Sequence, residues 1–255
     1  MYETDLTDSQ WQVMEEILPV KRRRKYSLRL IINALLYLAK SGCQWRLLPN
    51  DFPPYPLCFY YFRRWQQNGQ WARLNKVLVE HERRRSAPSR HASPSVAILD
   101  AQSIKSSERG VPDRGFDGHK KIQGRKRQLI VDTGGRLLAV HVGPAQENDR
   151  IGGRRALQNL FEQGYQRLKL VLTDAGYASQ ALGQWVQHAC GWHLATAPGL
   201  SGHGGFTPAP VRWVVERSIS WLHWDRRLSR DYECDTSSAE AFLFVSSIRH
   251  LIRKF

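Results

Sequence analysis

The chain has 255 residues, a hydrophobic fraction of 42% and nine tryptophans, a composition that supports a sizeable core and excludes a disordered protein. Its 38 Lys and Arg against 23 Asp and Glu leave a net charge of +15. A soluble enzyme of small metabolites does not need such an excess, which opposes compaction; a polyanion is the natural partner, nucleic acid foremost. The opening "MYETDLTDSQ" is too acidic and polar for a signal peptide. The longest apolar run, Leu30 to Ala39, contains Asn33 and is too short to span a bilayer, so no membrane partner is expected. Cys43, Cys58, Cys190 and Cys234 form no CxxC pair and are expected to be reduced, buried thiols of a cytoplasmic protein.

Residues 1–85 are predicted to be helical. Thr7 is the N-cap of a first helix, with Gln10 completing a capping box and Leu6 stapled onto Trp11; Pro19 ends it and the basic connector "KRRRKY" follows. Ser27 caps a second helix that Gly42 stops. After the irregular "CQWRLLPNDFPPYP", two more helices are expected in "LCFYYFRRWQQNG" and "WARLNKVLVEHERRR". Short helices joined by tight turns, with Arg63, Arg64 and Gln67 along one of them, fit a helix-turn-helix-like DNA reader, and an ordinary helical bundle with a charged exterior fits equally. Residues 86–95, "SAPSRHASPS", hold four Ser and two Pro, which is linker composition.

Beyond residue 95 the period changes. "VAILD" (96–100), "RQLIVDT" (127–133), "LLAVHVG" (137–143) and "LKLVLTD" (168–174) read as strands, the second and third joined by a "TGG" hairpin turn that Asp132 serves. Helices are expected over 150–161, 179–189, 211–228 and 239–253, with a fifth strand in "WHLATAP"; Asp149 is assigned to capping the first of these helices. Three strands in hairpin order, then helix, strand, helix, strand, helix, make a mixed α/β layer, so the fold class is α/β with an all-α leader. The expected division is a leader over 1–85, a linker over 86–95 and an α/β domain over 96–255.

Two strand-like runs finish on an aspartate, Asp100 and Asp174, and strand ends at the rim of an open α/β sheet commonly carry sites. In the 211–228 stretch Val211, Val214, Val215, Ile219, Trp221 and Leu222 gather on one side of a helical wheel. Glu216 lies opposite, in a column with Arg212, Ser220, His223 and Arg227. A solvated face with an Arg–Glu pair is the bland explanation of that glutamate. The alternative is that three carboxylates converge from distant parts of the chain, which requires cations between them. Oxygen-only ligands suit Mg²⁺ or Mn²⁺, and two such ions about 4 Å apart serve in-line phosphoryl displacement. Five of the eight residues from Lys120 to Arg127 are basic. Lys120, Lys121, Arg125, Lys126 and Arg127 are expected to form a loop that holds a DNA backbone entering the cleft. "HACGWH" offers His188, Cys190 and His193, but lacks the spacing of a zinc site.

The blocks "ILDAQSIK", "GFDGHKKIQGRKRQLIVDTGGRLLAVHV", "ENDR", "LVLTDAGY" and "RWVVERSISWLHWDRRLSRDYE" resemble those of bacterial DDE transposases of the insertion-sequence-five family. "SGCQWRLLPNDFPPY" with "YYFRRWQQNGQW" resembles that family's helical leader. The resemblance covers nearly the whole chain in block order. It implies an RNase H-like fold, a triad of Asp100, Asp174 and Glu216 holding two Mg²⁺ or Mn²⁺, and DNA contacts by Arg212, His223, Arg226 and Arg227 around the glutamate. It further implies cleavage at terminal inverted repeats, strand transfer into double-stranded target DNA, a homodimer on DNA and a place at the bacterial nucleoid. The chain departs from the family at Val211 and His223, where basic residues or Asn are common, and at Trp224 and Asp225; these positions bear on end binding. A catalytically silent DNA-binding descendant is the alternative function, and an RNase H-like nuclease that cuts without joining is a third.

Overall fold

The computed structural model describes residues 2–18, 25–87, 91–107, 112–196 and 210–255, with Pro210, Val211 and Arg212 described in their backbone alone. Most of the "KRRRKY" connector, the middle of the 86–95 linker and the Gly-rich stretch before Pro210 lie outside the described residues.

The leader is four helices. α1 (Asp8–Ile17) opens on the expected reciprocal box: the Thr7 hydroxyl accepts the Gln10 amide and the Gln10 side chain accepts the Thr7 amide. α2 (Leu28–Ser41) starts where the Ser27 hydroxyl accepts the Leu30 amide, and ends where Gly42 turns left-handed at φ 70°, a conformation a Cβ would strain. α3 (Tyr55–Gln67) begins two residues before Leu57, with a proline in its first turn pre-setting the backbone. α4 (Gln70–Ser86) completes the set.

β1 (Val96–Lys105) runs antiparallel to β3 (Ile122–Asp132) from Ala97 opposite Asp132 to Lys105 opposite Gly124. β2 (Gly115–Asp117) and β4 (Leu137–Pro144) also pair with β3. On the other flank β5 (Leu170–Thr173) lies parallel to β1, and β6 (His193–Thr196) parallel to β5. The strands thus run in the order β4-β3-β1-β5-β6, three antiparallel and then two parallel, with α5 (Asp149–Glu162) and α6 (Gln180–Cys190) in the connections. That order and sense are those of the RNase H-like fold, and the expected α/β class is correct.

Two expectations need correction. Only Lys120 and Lys121 of the basic run lie in a turn: β3 begins at Ile122, five residues before the expected strand, takes in Arg125, Lys126 and Arg127, and β1 extends five residues past Asp100 to meet it. Apolar periodicity missed this because buried cations fill core positions, Arg125 at 0% and Arg127 at 1% exposure. The late helix is also shorter than expected. α7 (Pro210–His223) stops because Asp225, fully buried, is held by Arg249 at 2.6 Å and by the Ser246 hydroxyl at 2.5 Å, and a separate turn Arg226–Leu228 follows.

Arg249 and Ser246 belong to α8 (Thr236–Ile252), which is apolar on almost every side and packs against α2, α3, α4, α7 and β4. Phe62 of α3 stacks on its Phe242 at 4.5 Å, and Asn75 of α4 bonds both Leu137 O and the Ser247 hydroxyl. One apolar cluster therefore runs from Leu6 and Met14 through α8 to Leu129, Val140 and Val171 of the sheet. The cysteines are all unpaired. Cys58 is buried, its thiol pushed up to about 11 by that burial, and Cys43 and Cys190 are half-buried. Cys234 is exposed, contrary to expectation. No helix among the described residues is long and apolar enough to cross a membrane.

His141 of β4 reaches Glu147 at 3.1 Å and Glu240 of α8 at 3.5 Å. Burial alone would lower its pKa, but hydrogen bonds and charge from the two carboxylates outweigh it and raise the value to about 9. A histidine whose folded pKa exceeds its unfolded one contributes its full stabilisation below pH 6.5, where both states are protonated, and loses it as pH rises through about 9. The melting temperature should therefore fall more steeply between pH 7 and pH 10 in the wild type than in His141→Gln.

Candidate active site

The parallel pairing of β1 with β5 brings Asp100, in the middle of β1, and Asp174, just after β5, to the same side of the sheet's cleft. Val96, Ala97 and Ile98 pair with Leu170, Val171 and Leu172. β5 ends at Thr173 and Asp174 follows it, so Asp174 leaves the strand adjacent to the one that carries Asp100, and both line the same cleft. Asp100 is opposite Leu129 of β3, and its Oδ1 accepts the Ala101 amide at 2.7 Å. Asp174 ends β5 and opens the turn Ala175–Tyr177, its Oδ1 accepting the Gly176 amide at 2.9 Å.

Glu216 comes from α7, which packs on β1 and β3 with Val215 and Ser218 inward. The helix is pinned to the β3–β4 turn: the Ser218 hydroxyl donates to Gly135 O at 2.9 Å and Arg217 Nη2 to Gly134 O at 3.1 Å. That leaves Glu216 exposed over the sheet rim. Asp100, Asp174 and Glu216 line one cleft of about 420 Å³ together with Asp149, His119, Lys120 and Tyr177. The Tyr177 phenol, buried beneath it, is pushed far up by that burial first and then by the fields of Asp149, Asp100 and Asp174. The four carboxylates of the cleft offer anionic oxygen donors, the chemistry that suits Mg²⁺ or Mn²⁺, with the His119 imidazole and the Lys120 ammonium beside them. Among the described residues no group of three or more His, Cys, Asp or Glu side chains is arranged to hold a single metal ion.

The floor beside the acids is braced by Asp117 of β2. It accepts the Ser103 hydroxyl and the His119 and Lys120 amides, the last two at 3.1 and 3.0 Å. Burial would raise the Asp117 carboxyl, but these bonds and the Lys126 charge hold it below the usual range. Lys120, which lines the cleft, and its neighbour Lys121 are exposed to solvent.

The remaining cations expected on DNA divide sharply. Arg64 and Arg226 are exposed, and the Arg212 side chain lies outside the described residues. His223 is exposed, bonded to Gln102 at 3.0 Å, and its pKa is lowered by desolvation and by the Arg127 charge, so it is neutral at pH 7. The others are held in contacts within the chain: Arg125, Lys126, Arg127 and Arg227 are buried away from any phosphate, which corrects their expected place on DNA, and half-buried Arg63 is engaged in an ion pair. Arg125 is spent on Asp231 and on the Pro112, Glu233 and Cys234 carbonyls. Arg127 donates to Leu228 O, and burial lowers its pKa to about 10. Lys126 binds Asp149 at 2.9 Å and Glu147 O at 2.8 Å. Arg227, off the helix altogether, pairs with Glu233 at 2.8 Å and lies over Phe242. Arg63 pairs with Asp235 at 2.8 Å and docks α3 onto the start of α8. His188 of the rival cluster donates to its own helix at Gln184 O.

Asp149 is the cleft residue that sequence reasoning misassigned. The capping bond belongs to Asn148, whose Oδ1 accepts the Arg150 amide at 2.9 Å, and Asp149 turns into the cleft. Two adjacent cap-forming residues were the signal that one was surplus to the helix.

Residues 91–249 match the family model described as "Transposase DDE domain", more than half of the chain, and the protein belongs to the DDE transposases. Residues 6–96 match the model described as "Putative transposase of IS4/5 family (DUF4096)", a smaller part of the chain. A "Putative transposase for insertion sequence element IS402" of Burkholderia cepacia is 30% identical over 126 residues, covering 47% of this chain and 59% of that protein. The "Insertion element IS402 uncharacterized 16.2 kDa protein" of the same organism is 29% identical over 84 residues, covering 29% of this chain and 57% of that one. The chain thus spans less than two thirds of the length of these curated relatives. The catalytic core domain of BIV integrase superposes with a TM-score of 0.35 at 12% identity, covering 58% of this chain and 80% of that one. The fold assignment rests on the strand order and not on that score.

Replacing Arg125 by alanine strands Asp231 in the core, and an orphaned buried charge costs about 3–5 kcal/mol. Urea unfolding of Arg125→Ala should show a loss of that size, where a surface DNA contact would show almost none.

Proposed function

We propose that this chain mobilises an insertion element: it binds the terminal inverted repeats, cleaves the DNA at the element's ends and joins the released 3′ ends to target DNA. The observation that carries the reading is the single cleft to which β1, the turn after β5 and α7 each deliver one carboxylate, in a chain of charge +15. Asp100, Asp174 and Glu216 would hold two divalent cations, Mg²⁺ or Mn²⁺. When bound, such ions supply electrostatic stabilisation at the attacking and leaving oxygens of an in-line displacement.

The chain's own groups do the rest. Asp100 sits within β1 and Asp174 directly follows the neighbouring strand β5, so the sheet delivers both to the cleft. Glu216, on a helix pinned through Ser218 and Arg217, closes the third side. Lys120 and Lys121 would take the phosphates flanking the scissile bond, and exposed Arg64 and Arg226 would take more distant ones. No serine or tyrosine nucleophile is required: the Tyr177 hydroxyl is buried and already donates to Gln128. Two ends must be cut for one element to move, which calls for a homodimer on DNA, acting at the bacterial chromosome in the cytoplasm.

Glu216→Gln keeps shape and removes one negative charge from the cleft. Incubated with end-containing DNA and Mg²⁺, it should cleave at least about 10²-fold more slowly, a loss of several kcal/mol of transition-state stabilisation, while still binding the DNA. Cleavage at the wild-type rate would sink the triad, and wild-type binding without metal-dependent cleavage would leave a DNA-binding protein in place of an enzyme. Joined products distinguish a transposase from a nuclease.

Lys120→Ala with Lys121→Ala should leave the melting temperature unchanged. The same pair should weaken DNA binding at every sequence and flatten the plot of log K against log salt by about 1 per lysine.

A further inference from the structure

Asp149 does something that helix capping does not explain. Its Oδ1 accepts Lys126 Nζ at 2.9 Å and Gln128 Nε2 at 3.4 Å, both from β3. The other end of the Gln128 amide, Oε1, accepts the Tyr177 hydroxyl. Tyr177 closes the short turn that Asp174 opens. A continuous run of hydrogen bonds therefore links the start of α5, through the middle strand of the antiparallel set, to the turn bearing one of the cleft's acids. The Asp149 Oδ2 faces the same turn from the other side: a methyl group built on Gly176 would lie 3.1 Å from Asp174 Oδ1 and 3.7 Å from Asp149 Oδ2.

The sequence makes room for this arrangement at a cost. Gly152 and Gly153 stand side by side inside α5, each about 1 kcal/mol worse than alanine for a helix. A methyl group on Gly152 would fall 2.9 Å from Gln128 Nε2, and one on Gly153 would fall 2.7 Å from Tyr177 Cε1. The two glycines leave the helix surface flat where Gln128 and Tyr177 meet it. Lys126 places a fixed positive charge against Asp149, so the extra carboxylate does not overload an already anionic cleft.

We propose that Asp149, Gln128 and Tyr177 form a positioning relay that fixes the turn carrying Asp174 and thereby sets how tightly the cleft takes up divalent cations. The inference rests on the metal-dependent reading of the cleft given above. Each link is partly or wholly buried, so deleting one leaves its neighbour unsatisfied and frees the turn. None of the three is assigned contact with DNA or with a reacting atom.

The test follows Mn²⁺ uptake by the whole chain through the electron paramagnetic resonance of the free ion, beside metal-dependent cleavage of end-containing DNA and the melting temperature in EDTA. Tyr177→Phe removes one hydroxyl; Asp149→Asn removes one charge. Each should weaken Mn²⁺ affinity by about tenfold, the lower end of what loss of a supporting hydrogen bond does to a metal site. The double variant should be no weaker than the worse single one, because both cut the same relay. Variants that melt earlier in EDTA but take up Mn²⁺ as the wild type does would overturn the proposal, as would losses that simply add. A wild type that binds Mn²⁺ yet never cuts DNA would sink the transposase reading while leaving the relay to be judged by affinity; a wild type that takes up no Mn²⁺ would overturn both.

Discussion

The parallel register between β1 and β5 is the constraint on which the cleft depends. Three paired residues on each strand, Val96 to Ile98 against Leu170 to Leu172, determine where both chains leave the sheet. A slip by one residue would reverse the faces of every side chain beyond and carry one aspartate under the sheet. The register is protected by burial: Ala97, Ile98 and Val171 are at most 3% exposed, and apolar matter covers both faces. Two like charges then share one cleft because the strands, not the carboxylates, decide where each is delivered.

Positive charge in this protein does two separate jobs. One set of cations is exposed, and the other is built into the interior. The inner set forms stitches: Arg125 and Arg127 sew β3 to the segment from Leu228 to Glu233, while Arg83 and Arg136 gather on Asp132, with Glu82 also reached from Arg136 at 3.6 Å. Asp132 sits at the start of the turn whose Gly134 and Gly135 carbonyls hold α7. The leader helix α4, the hairpin and the helix bearing Glu216 are therefore consecutive links of one rigid path. Buried ion networks of this kind add little net stability, but breaking one partner is costly, which makes the arrangement specific.

Much of the local structure was legible because it follows short-range rules. Thr7 with Gln10, Ser27 and Gly42 bound their helices where capping chemistry says they should. The four main strands of apolar character were visible as β-branched runs; Asp100, expected at a strand end, lies in the middle of β1, yet it shares one cleft with Asp174 and Glu216. The failures have a common cause. Lys126, Arg125 and Arg127 look like a solvated loop to any reading based on polarity, because their partners Asp149, Asp231 and Leu228 lie 23, 106 and 101 positions away. Asp225 ended α7 early for the same reason, through an ion pair with Arg249 on another helix. Asp149 was misassigned because Asn148 is an equally good cap, and only three-dimensional packing says which of the two turns inward.

The shared core has a consequence for how the chain is divided. Phe62, Trp71, Leu74 and Leu78 of the leader are all at most 2% exposed, and α4 and α3 both lie on α8, an element of the sheet-bearing half. A fragment beginning at the first strand would keep its acids and its register but bare the flank of α8, including Phe242 and Val245, to water. Such a patch seeks another surface, so a trimmed protein would tend to clump. The four amino-terminal helices are in this sense a roof for the sheet.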